Sequence, residues 1–146
     1  MADSRQTFGD LSLLLPGAWK DTSTLSFVEP NEQAERSGYT HSITITREEV
    51  APPLSLASYC DDQIAQLQAN LPEFELMKRS PLQIHEREAV RIETEWKEFE
   101  GRRLHQVHYF VRAGQRVITV TGTALKDTFV KYQDEFDRIT RSLQIR

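Results

Sequence analysis

The chain has 146 residues, 38% hydrophobic and 27% charged, a balance typical of a soluble globular protein rather than a disordered one. The formal net charge of −4, with no long run of like charge, argues against a general binder of nucleic acid or of anionic membranes. The single cysteine, Cys60, excludes an intrachain disulfide, and no apolar run approaches the roughly 20 residues that cross a bilayer. We therefore expect one cytoplasmic domain over residues 1–146, without membrane insertion.

Strands are predicted in the N-terminal third of the chain. Residues 7–15 alternate loosely between apolar and polar and predict a strand, and residues 22–29, rich in β-branched residues, predict a second. The polar segment 31–38 predicts an exposed loop. A third strand follows, in which Ile43 and Ile45 alternate with polar residues.

The first helix is predicted to begin near Ser55 and to end at Pro72. Its apolar residues recur at helical spacing, at Leu56, Tyr59, Cys60, Ile64, Leu67 and Leu71. Cys60 lies on this stripe, so we expect it in the core rather than as a reactive thiol. A short strand is predicted from Phe74 to Ser80, closed by Pro81, with Leu82 to His85 as its continuation beyond the proline.

The C-terminal half predicts strands joined by tight turns and then a second helix. Strands are predicted at 89–99, 102–112 and 116–123, and a helix from about Lys126 to Leu143. The buried stripe of that helix is predicted to be Phe129, Tyr132, Phe136, Ile139 and Leu143. The order predicts an α+β domain, with a mostly antiparallel sheet and two main helices.

The strand at 89–99 has one face that is wholly charged. Arg91, Glu93, Glu95 and Lys97 share this face, so we expect it to be solvated. Glu93 and Glu95 point the same way, as paired catalytic carboxylates would, but their alternation with cations favours a solvated charge ladder.

The strand at 102–112 is apolar on both faces. Val107, Tyr109 and Val111 share one face, whereas Leu104 and Phe110 lie on the other with Gln106 between them. Such a strand needs cover on both sides. Either loops or the second helix supply that cover, or one face stays partly open as a groove for an apolar partner.

Catalysis, cofactors and metals have no support in the residue pattern. His105 and His108 are three apart on a predicted strand and so point to opposite faces, which prevents a metal pair. We expect the four histidines to lie at the surface or in hairpins. The phosphate-binding loops, the nucleophile elbow and the H-E-x-x-H metal motif are all missing from the sequence.

Several short segments resemble, in order and spacing, the Eag chaperones of bacterial type VI secretion, effector-associated proteins with a DcrB-like domain. Residues 15–23, LPGAWKDTS, resemble the opening turn of that family. Residues 71–79, LPEFELMKR, resemble its segment after the first helix. Ile84-His85, Ala89-Val90, Trp96 and the run from Arg102 to Val107 continue the match.

The resemblance implies a PsbP-like α/β shape with a curved sheet and a protein that is not an enzyme. Members of the family bind the N-terminal transmembrane segments of a secreted effector, commonly of the Rhs or PAAR type, in a hydrophobic groove. They keep those segments soluble until loading onto the secretion spike. We expect a homodimer, because open sheet edges invite pairing. The alternative is a module of the same fold that binds a small hydrophobic ligand or another protein.

The groove contacts that the resemblance implies fall on Gln63, Leu71 and Gln106. The family's aliphatic groove positions on the second strand fall on Thr24 and Ser26, which are polar here. Two alternatives follow. Either this end of the groove is wetter than in the family, or a local shift brings Leu25 and Phe27 into it. Plain core packing of Leu71 and a solvated position for Gln63 are the competing interpretations.

Overall fold

The computed structural model describes residues 3–19, 21–29 and 38–146, and these contain eight strands and two helices. The strands are β1 (Ser4–Phe8), β2 (Leu11–Leu15), β3 (Thr24–Val28), β4 (Ser42–Glu49), β5 (Glu75–Ile84), β6 (Arg87–Lys97), β7 (Arg103–Ala113) and β8 (Arg116–Leu125). The helices are α1 (Leu56–Asn70) and α2 (Phe129–Arg141).

A six-stranded sheet with the order β3-β4-β8-β7-β6-β5 forms the centre of the fold. Every neighbouring pair in it is antiparallel, and β1 and β2 form a separate two-stranded hairpin. The predicted α+β class, with a mostly antiparallel sheet and two main helices, is therefore confirmed. Both edges of the large sheet, β3 and β5, lack a strand partner on one side within the described part of the chain.

Two strand predictions need correction. The single strand predicted at 7–15 is a hairpin, because Gly9 adopts a φ of 61° and turns the chain between β1 and β2. Pro81 does not close a strand but lies inside β5, opposite Val90. Proline is tolerated there because β5 is an edge strand, so its missing N–H breaks no ladder on the outer side. Residues 31–37 of the predicted loop lie outside the described residues.

Helix α1 packs on one face of the sheet. Its N-cap is Ser55, whose Oγ accepts a hydrogen bond from the Ser58 N–H at 3.1 Å. Cys60 is completely buried, as predicted, and burial raises the pKa of its thiol to about 11. The buried cluster on this side is Leu56, Tyr59, Cys60, Val90, Ile92, Phe110 and Val117.

Helix α2 packs on the opposite face, so the second helix does supply cover for β7 on its other side. Its buried residues are Phe129, Tyr132, Phe136 and Thr140. The prediction for Ile139 is wrong, since it is 39% exposed, and Thr140 is buried in the last turn instead. Thr140 is satisfied there because its hydroxyl donates to the Phe136 carbonyl at 2.8 Å.

The charged face of β6 is not solvated, which overturns the expected charge ladder. Glu93 and Glu95 are each only 5% exposed. Glu93 accepts hydrogen bonds from Arg91 at 2.7 Å and from His105 at 2.9 Å. Glu95 lies 3.0 Å from the other nitrogen of His105. Burial alone would raise the pKa values of both carboxyls, but these hydrogen bonds and the neighbouring cations outweigh it, and both pKa values lie below the ordinary range.

The histidines also differ from the prediction. His41 and His108 are buried, and His105 is half-buried with its ring 4.0 Å from that of Phe129. His85 is exposed in the β5–β6 turn, as expected. His105 and His108 do point to opposite faces of the sheet, because the strand alternates.

Candidate functional site

The face of the sheet that carries α1 is covered along only part of its width. Under α1 it is apolar, with Ile92, Phe110 and Val117 in the core. Beyond the helix the same face becomes polar over β6, β7, β8 and β4. We call this set of side chains the polar stripe: Thr94, Gln106, His108, Thr121, Thr123, Ser42 and Thr44.

Strand register places the members of the polar stripe beside one another. Gln106 pairs with Thr94 on β6 and with Thr123 on β8, and Thr123 pairs with Ser42 on β4. Directly opposed residues in antiparallel strands project to the same face. The polar stripe therefore crosses four strands as one continuous row of side chains, in which Thr94, His108 and Thr123 are buried and the other four are half-buried.

Gln106 is held in place from both sides. Its amide nitrogen donates to the Thr123 hydroxyl at 3.0 Å, and its carbonyl oxygen accepts from the Trp96 indole at 2.9 Å. Gln106 is half-buried. A carboxamide has two N–H donors and two acceptor positions, so one of each kind remains for a partner or water. The side chain is thus oriented in advance toward whatever covers the stripe.

His108 connects two threonines of the polar stripe on the neighbouring strands. One ring nitrogen lies 3.2 Å from the Thr94 hydroxyl and the other lies 3.1 Å from the Thr121 hydroxyl. Burial lowers the pKa of His108 to about 4, so the ring is neutral near pH 7. A neutral imidazole donates from one nitrogen and accepts at the other, which suits two hydroxyl partners.

Helix α1 borders the polar stripe on one side. Gln63 is half-buried, whereas Gln66 and Asn70 are exposed, so Gln63 is less solvated than its neighbours on the helix. Leu71 is also half-buried and caps the helix, with its N–H donating to the Leu67 carbonyl at 2.9 Å. The next carbonyl, that of Pro72, accepts from the Lys97 N–H at 3.0 Å. This bond fastens the end of α1 to the end of β6, beside Trp96.

The pairing of strand β3 with β4 shows which β3 residues lie on the same face as Gln106, and so distinguishes the two alternatives for the groove. Thr24 and Ser26 pair with Thr46 and Thr44 of β4, and so lie on the same face as Gln106. Leu25 and Phe27 project to the α2 face and are 51% and 56% exposed. The strand register therefore places Gln106, Thr24 and Ser26 on one face of the sheet and Leu25 and Phe27 on the other.

Sequence reasoning did not assign His108, Trp96 or the threonines of the polar stripe to the site. A signal was available in β8, where Thr119, Thr121 and Thr123 recur at every second residue. That spacing places three hydroxyls on one face of a strand. Their pairing with Gln106 and His108 required the strand register, which the sequence does not state.

A cavity of about 490 Å³ lies beside β5 and β6, and a larger one of about 620 Å³ lies between the β1–β2 hairpin and the outer part of the sheet. The larger cavity is lined by apolar side chains that include Leu25, Ile45 and Ile118, and by Arg47 and Arg116. It is therefore an apolar space with three arginine residues at its wall, the third being Arg146. No helix in the described residues has the length and apolarity required to span a membrane.

Comparison with known proteins places this geometry in a family. The family model described as DcrB matches residues 10–142. The chain belongs to the DcrB family. It is also 30% identical over 114 residues to "Effector EagT6" of Pseudomonas aeruginosa, a match that covers 78% of this chain and 76% of that protein. The predicted resemblance to the Eag proteins, with a DcrB-like domain, is thereby confirmed.

Solved structures share the DcrB-family fold. A Pseudomonas aeruginosa protein of unknown function, PA94, superposes with a TM-score of 0.82 at 24% identity, over 100% of this chain and 99% of that one. Cyanobacterial PsbP (CyanoP) from Synechocystis sp. PCC 6803 superposes with a TM-score of 0.60 at 11% identity, over 99% and 93%. At these identities the likeness concerns the fold alone, and it confirms the predicted PsbP-like shape.

Proposed function

We propose that this protein is a cytoplasmic, non-enzymatic chaperone of type VI secretion. In this proposal residues 1–146 form one DcrB-like domain that binds the N-terminal transmembrane segments of an effector of the Rhs or PAAR type. The observation that carries the proposal is Gln106, oriented between Trp96 and Thr123 on the part of the α1 face that lies beyond the helix. The similarity to a protein named Effector EagT6 supports the association with an effector.

The chemistry of the polar stripe suits a transmembrane helix as its ligand. Such helices associate through close backbone approach at small residues and through interhelical hydrogen bonds rather than through apolar burial alone. The stripe offers hydroxyl and carboxamide groups on a surface bordered by α1, as a neighbouring helix would. Leaving the free positions of Gln106 unpaired under a client would cost about 1–3 kcal/mol. We therefore expect clients that present Ser, Thr or exposed backbone groups to it.

Five residues carry client contact in this proposal. Gln106 and Gln63 supply hydrogen bonds, and Leu71 supplies apolar contact at the end of α1. Thr24 and Ser26 extend the polar surface to the edge strand, which supports the wetter of the two groove alternatives. No cofactor or metal is needed for this binding, and neither nucleic acid nor insertion into a membrane is part of it.

A homodimer is the second part of the proposal. Strand β3 is an edge strand, and Leu25 and Phe27 lie exposed on it. Pairing of two β3 edges would satisfy backbone groups that face solvent in one copy and would bury these two side chains. Sedimentation of the chaperone alone at micromolar concentration reports this directly, and a monomer there would remove the dimer from the proposal.

Co-expression with the N-terminal region of an effector encoded next to this gene tests the proposal. Pull-down without detergent is expected to give a soluble complex that disappears when the apolar segments of the client are deleted. Gln106→Lys is expected to reduce the soluble client at least tenfold, because an ammonium cannot be desolvated under an apolar helix. Gln68→Lys is the matched control, since Gln68 lies on the exposed side of α1.

Thermal unfolding of both variants shows whether they are folded. Equal client yields from Gln106→Lys and the unchanged protein would remove Gln106 from the binding surface. A client that stays insoluble while the chaperone is folded would contradict the chaperone function itself.

That second outcome would favour a module of the same fold that binds a small hydrophobic ligand or another protein. The cavity of about 620 Å³ beside Leu25 and Ile45 supports this alternative. Its apolar walls with Arg47 and Arg116 suit an amphipathic ligand that carries a negative charge. Retention of such a ligand by the purified protein, in place of a client, would distinguish the two functions.

A further inference from the structure

Three potential metal ligands meet on the α2 side of the fold, away from the polar stripe. Glu29 directly follows β3, His41 directly precedes β4, and Glu135 lies on α2. One ligand atom from each residue lies within 4.8 Å of the others. Residues distant in sequence therefore bring one imidazole and two carboxylates to the same point.

The imidazole of His41 is the observation that distinguishes this group from an ordinary acidic surface. His41 is only 6% exposed, and its Nε2 has no hydrogen-bond partner among residues 3–19, 21–29 and 38–146. Oε2 of Glu29 lies 3.7 Å from this nitrogen, which is too far for a hydrogen bond. Buried polar atoms without partners are rare because they lose their bonds to water.

The ring of His41 is also fixed in orientation. It stacks on Tyr132 with ring centroids 3.7 Å apart and an interplanar angle of 11°. The plane of the ring is thus set by packing from α2, and Nε2 lies within 3.7 Å of the Glu29 carboxylate without a hydrogen bond. A ligand-binding nitrogen held in this way needs no rearrangement of the core to accept a cation.

We propose that Glu29, His41 and Glu135 bind a divalent transition-metal ion of the zinc class. Imidazole nitrogen selects this class over Mg²⁺ and Ca²⁺, which prefer all-oxygen sites. With bonds of 2.0–2.1 Å, neighbouring ligand atoms of a tetrahedral zinc lie about 3.3 Å apart. The 3.7 Å between His41 and Glu29 is close to that value, and the exposed side chain of Glu29 can adjust.

The ion would fasten the β3–β4 edge of the sheet to α2. Three protein ligands leave a fourth position for water or for a donor from another molecule. The site lies on the face opposite Gln106, so it does not depend on the proposed chaperone function. It goes beyond that function because β3 also carries Thr24 and Ser26, whose position would then depend on the metal.

The test uses the full chain treated with a chelator and then desalted. Zn²⁺ is titrated against a chromophoric competitor, and Co²⁺ is added separately to read its visible absorption bands. We expect one equivalent of Zn²⁺ with micromolar or tighter affinity, and a Co²⁺ spectrum typical of four-coordination. Glu29→Gln and Glu135→Gln are each expected to weaken Zn²⁺ binding at least tenfold.

Glu49→Gln is the matched control, because Glu49 is an exposed carboxylate elsewhere on β4. His41→Phe removes the nitrogen and keeps an aromatic ring against Tyr132, and thermal unfolding without metal shows that each variant is folded. Both glutamine variants change side chains that are not fully buried, so they test the site even if His41→Phe does not fold. The proposal is overturned if the unchanged protein binds no Zn²⁺ when the ion is present, without the competitor, at 100 times the protein concentration. It is equally overturned if the glutamine variants bind Zn²⁺ with an affinity within twofold of that of the unchanged protein.

Discussion

The two faces of the sheet satisfy their residues in different ways. On the α2 face, Val107, Val120 and Phe136 belong to a continuous apolar cluster that excludes water. On the α1 face, apolar packing stops at the edge of the helix, and hydroxyl, carboxamide and imidazole groups bond to one another instead. The α2 face is thus closed mainly by apolar packing, with the hydrogen-bonded group of Glu93, His105 and Glu95 at its β6–β7 side, whereas the α1 face beyond its helix is closed by hydrogen bonds. A face closed by hydrogen bonds keeps free donors and acceptors for a partner, which a closed apolar core cannot do.

The largest expected effect is a loss of stability at acidic pH that comes from His108 on the α1 face. The pKa of His108 falls from 6.5 in the unfolded chain to about 4 in the fold, because burial disfavours the charged ring. Its contribution to stability is therefore fully present above pH 6.5 and is lost as the pH falls through 4. The shift corresponds to about 3 kcal/mol of unfolding free energy. Urea unfolding measured from pH 7 to pH 4 is expected to show this decline.

His108→Gln is the control for that decline. Glutamine keeps one donor and one acceptor but does not titrate, so the decline between pH 6.5 and 4.5 is expected to be reduced. Glu93 and Glu95 on the α2 face do not confuse the measurement. Their pKa values are lowered, so the stability they contribute is present above their ordinary pKa of 4.5 and is lost only below it. An equally steep decline in the variant would show that His108 is not its source.

A smaller effect is expected from overfilling the α2 face. A Cβ on Gly122 would lie 2.5–2.9 Å from the ring carbons of Phe136. Gly122→Ala is therefore expected to lower the free energy of unfolding by about 2 kcal/mol, measured by urea unfolding. Phe136→Leu in the same chain should recover part of that loss, because the smaller side chain leaves room.

Thr46→Ala is the comparison on the α1 face, where Thr46 is exposed. It is expected to change stability by no more than about 0.5 kcal/mol. Equal losses from Gly122→Ala and Thr46→Ala would contradict the distinction between a tightly packed position on the α2 face and an exposed position on the α1 face.

The order and type of most elements could be predicted from the sequence, since alternation and helical spacing are local properties. The strands at 89–99 and 102–112 and the helix after Ser55 follow from such patterns. The solvation of Glu93 and Glu95 could not be predicted in this way. Their partner His105 lies on the neighbouring strand, and only the register of β6 and β7 brings it between the two carboxylates. A charge pattern within one strand does not reveal hydrogen-bond partners supplied by another.

The candidate site likewise has one part that could be predicted from the sequence and one part that could not. Gln106 could be singled out because a carboxamide between Leu104 and Phe110 interrupts an apolar face. The sequence allows either side of β3 to accompany it, Thr24 with Ser26 or Leu25 with Phe27. Only pairing with β4 separates the two pairs, since a shift of one residue would exchange them. The partners of His108 were missed for the same reason.

The smallest expected effect concerns the helix that covers part of the α1 face. Ser55→Ala removes the oxygen that accepts from the Ser58 N–H and is expected to cost about 1 kcal/mol. Ser55→Asp keeps an accepting oxygen and adds a negative charge at the helix N-terminus, so it is expected to retain stability. Urea unfolding measures both variants, and amide exchange locates the loss. Because α1 covers only part of its face, we expect protection to fall in α1 before it falls in β7 and β8. A uniform loss of protection would mean that α1 unfolds together with the sheet, and the difference between the two faces would then not extend to their local stability.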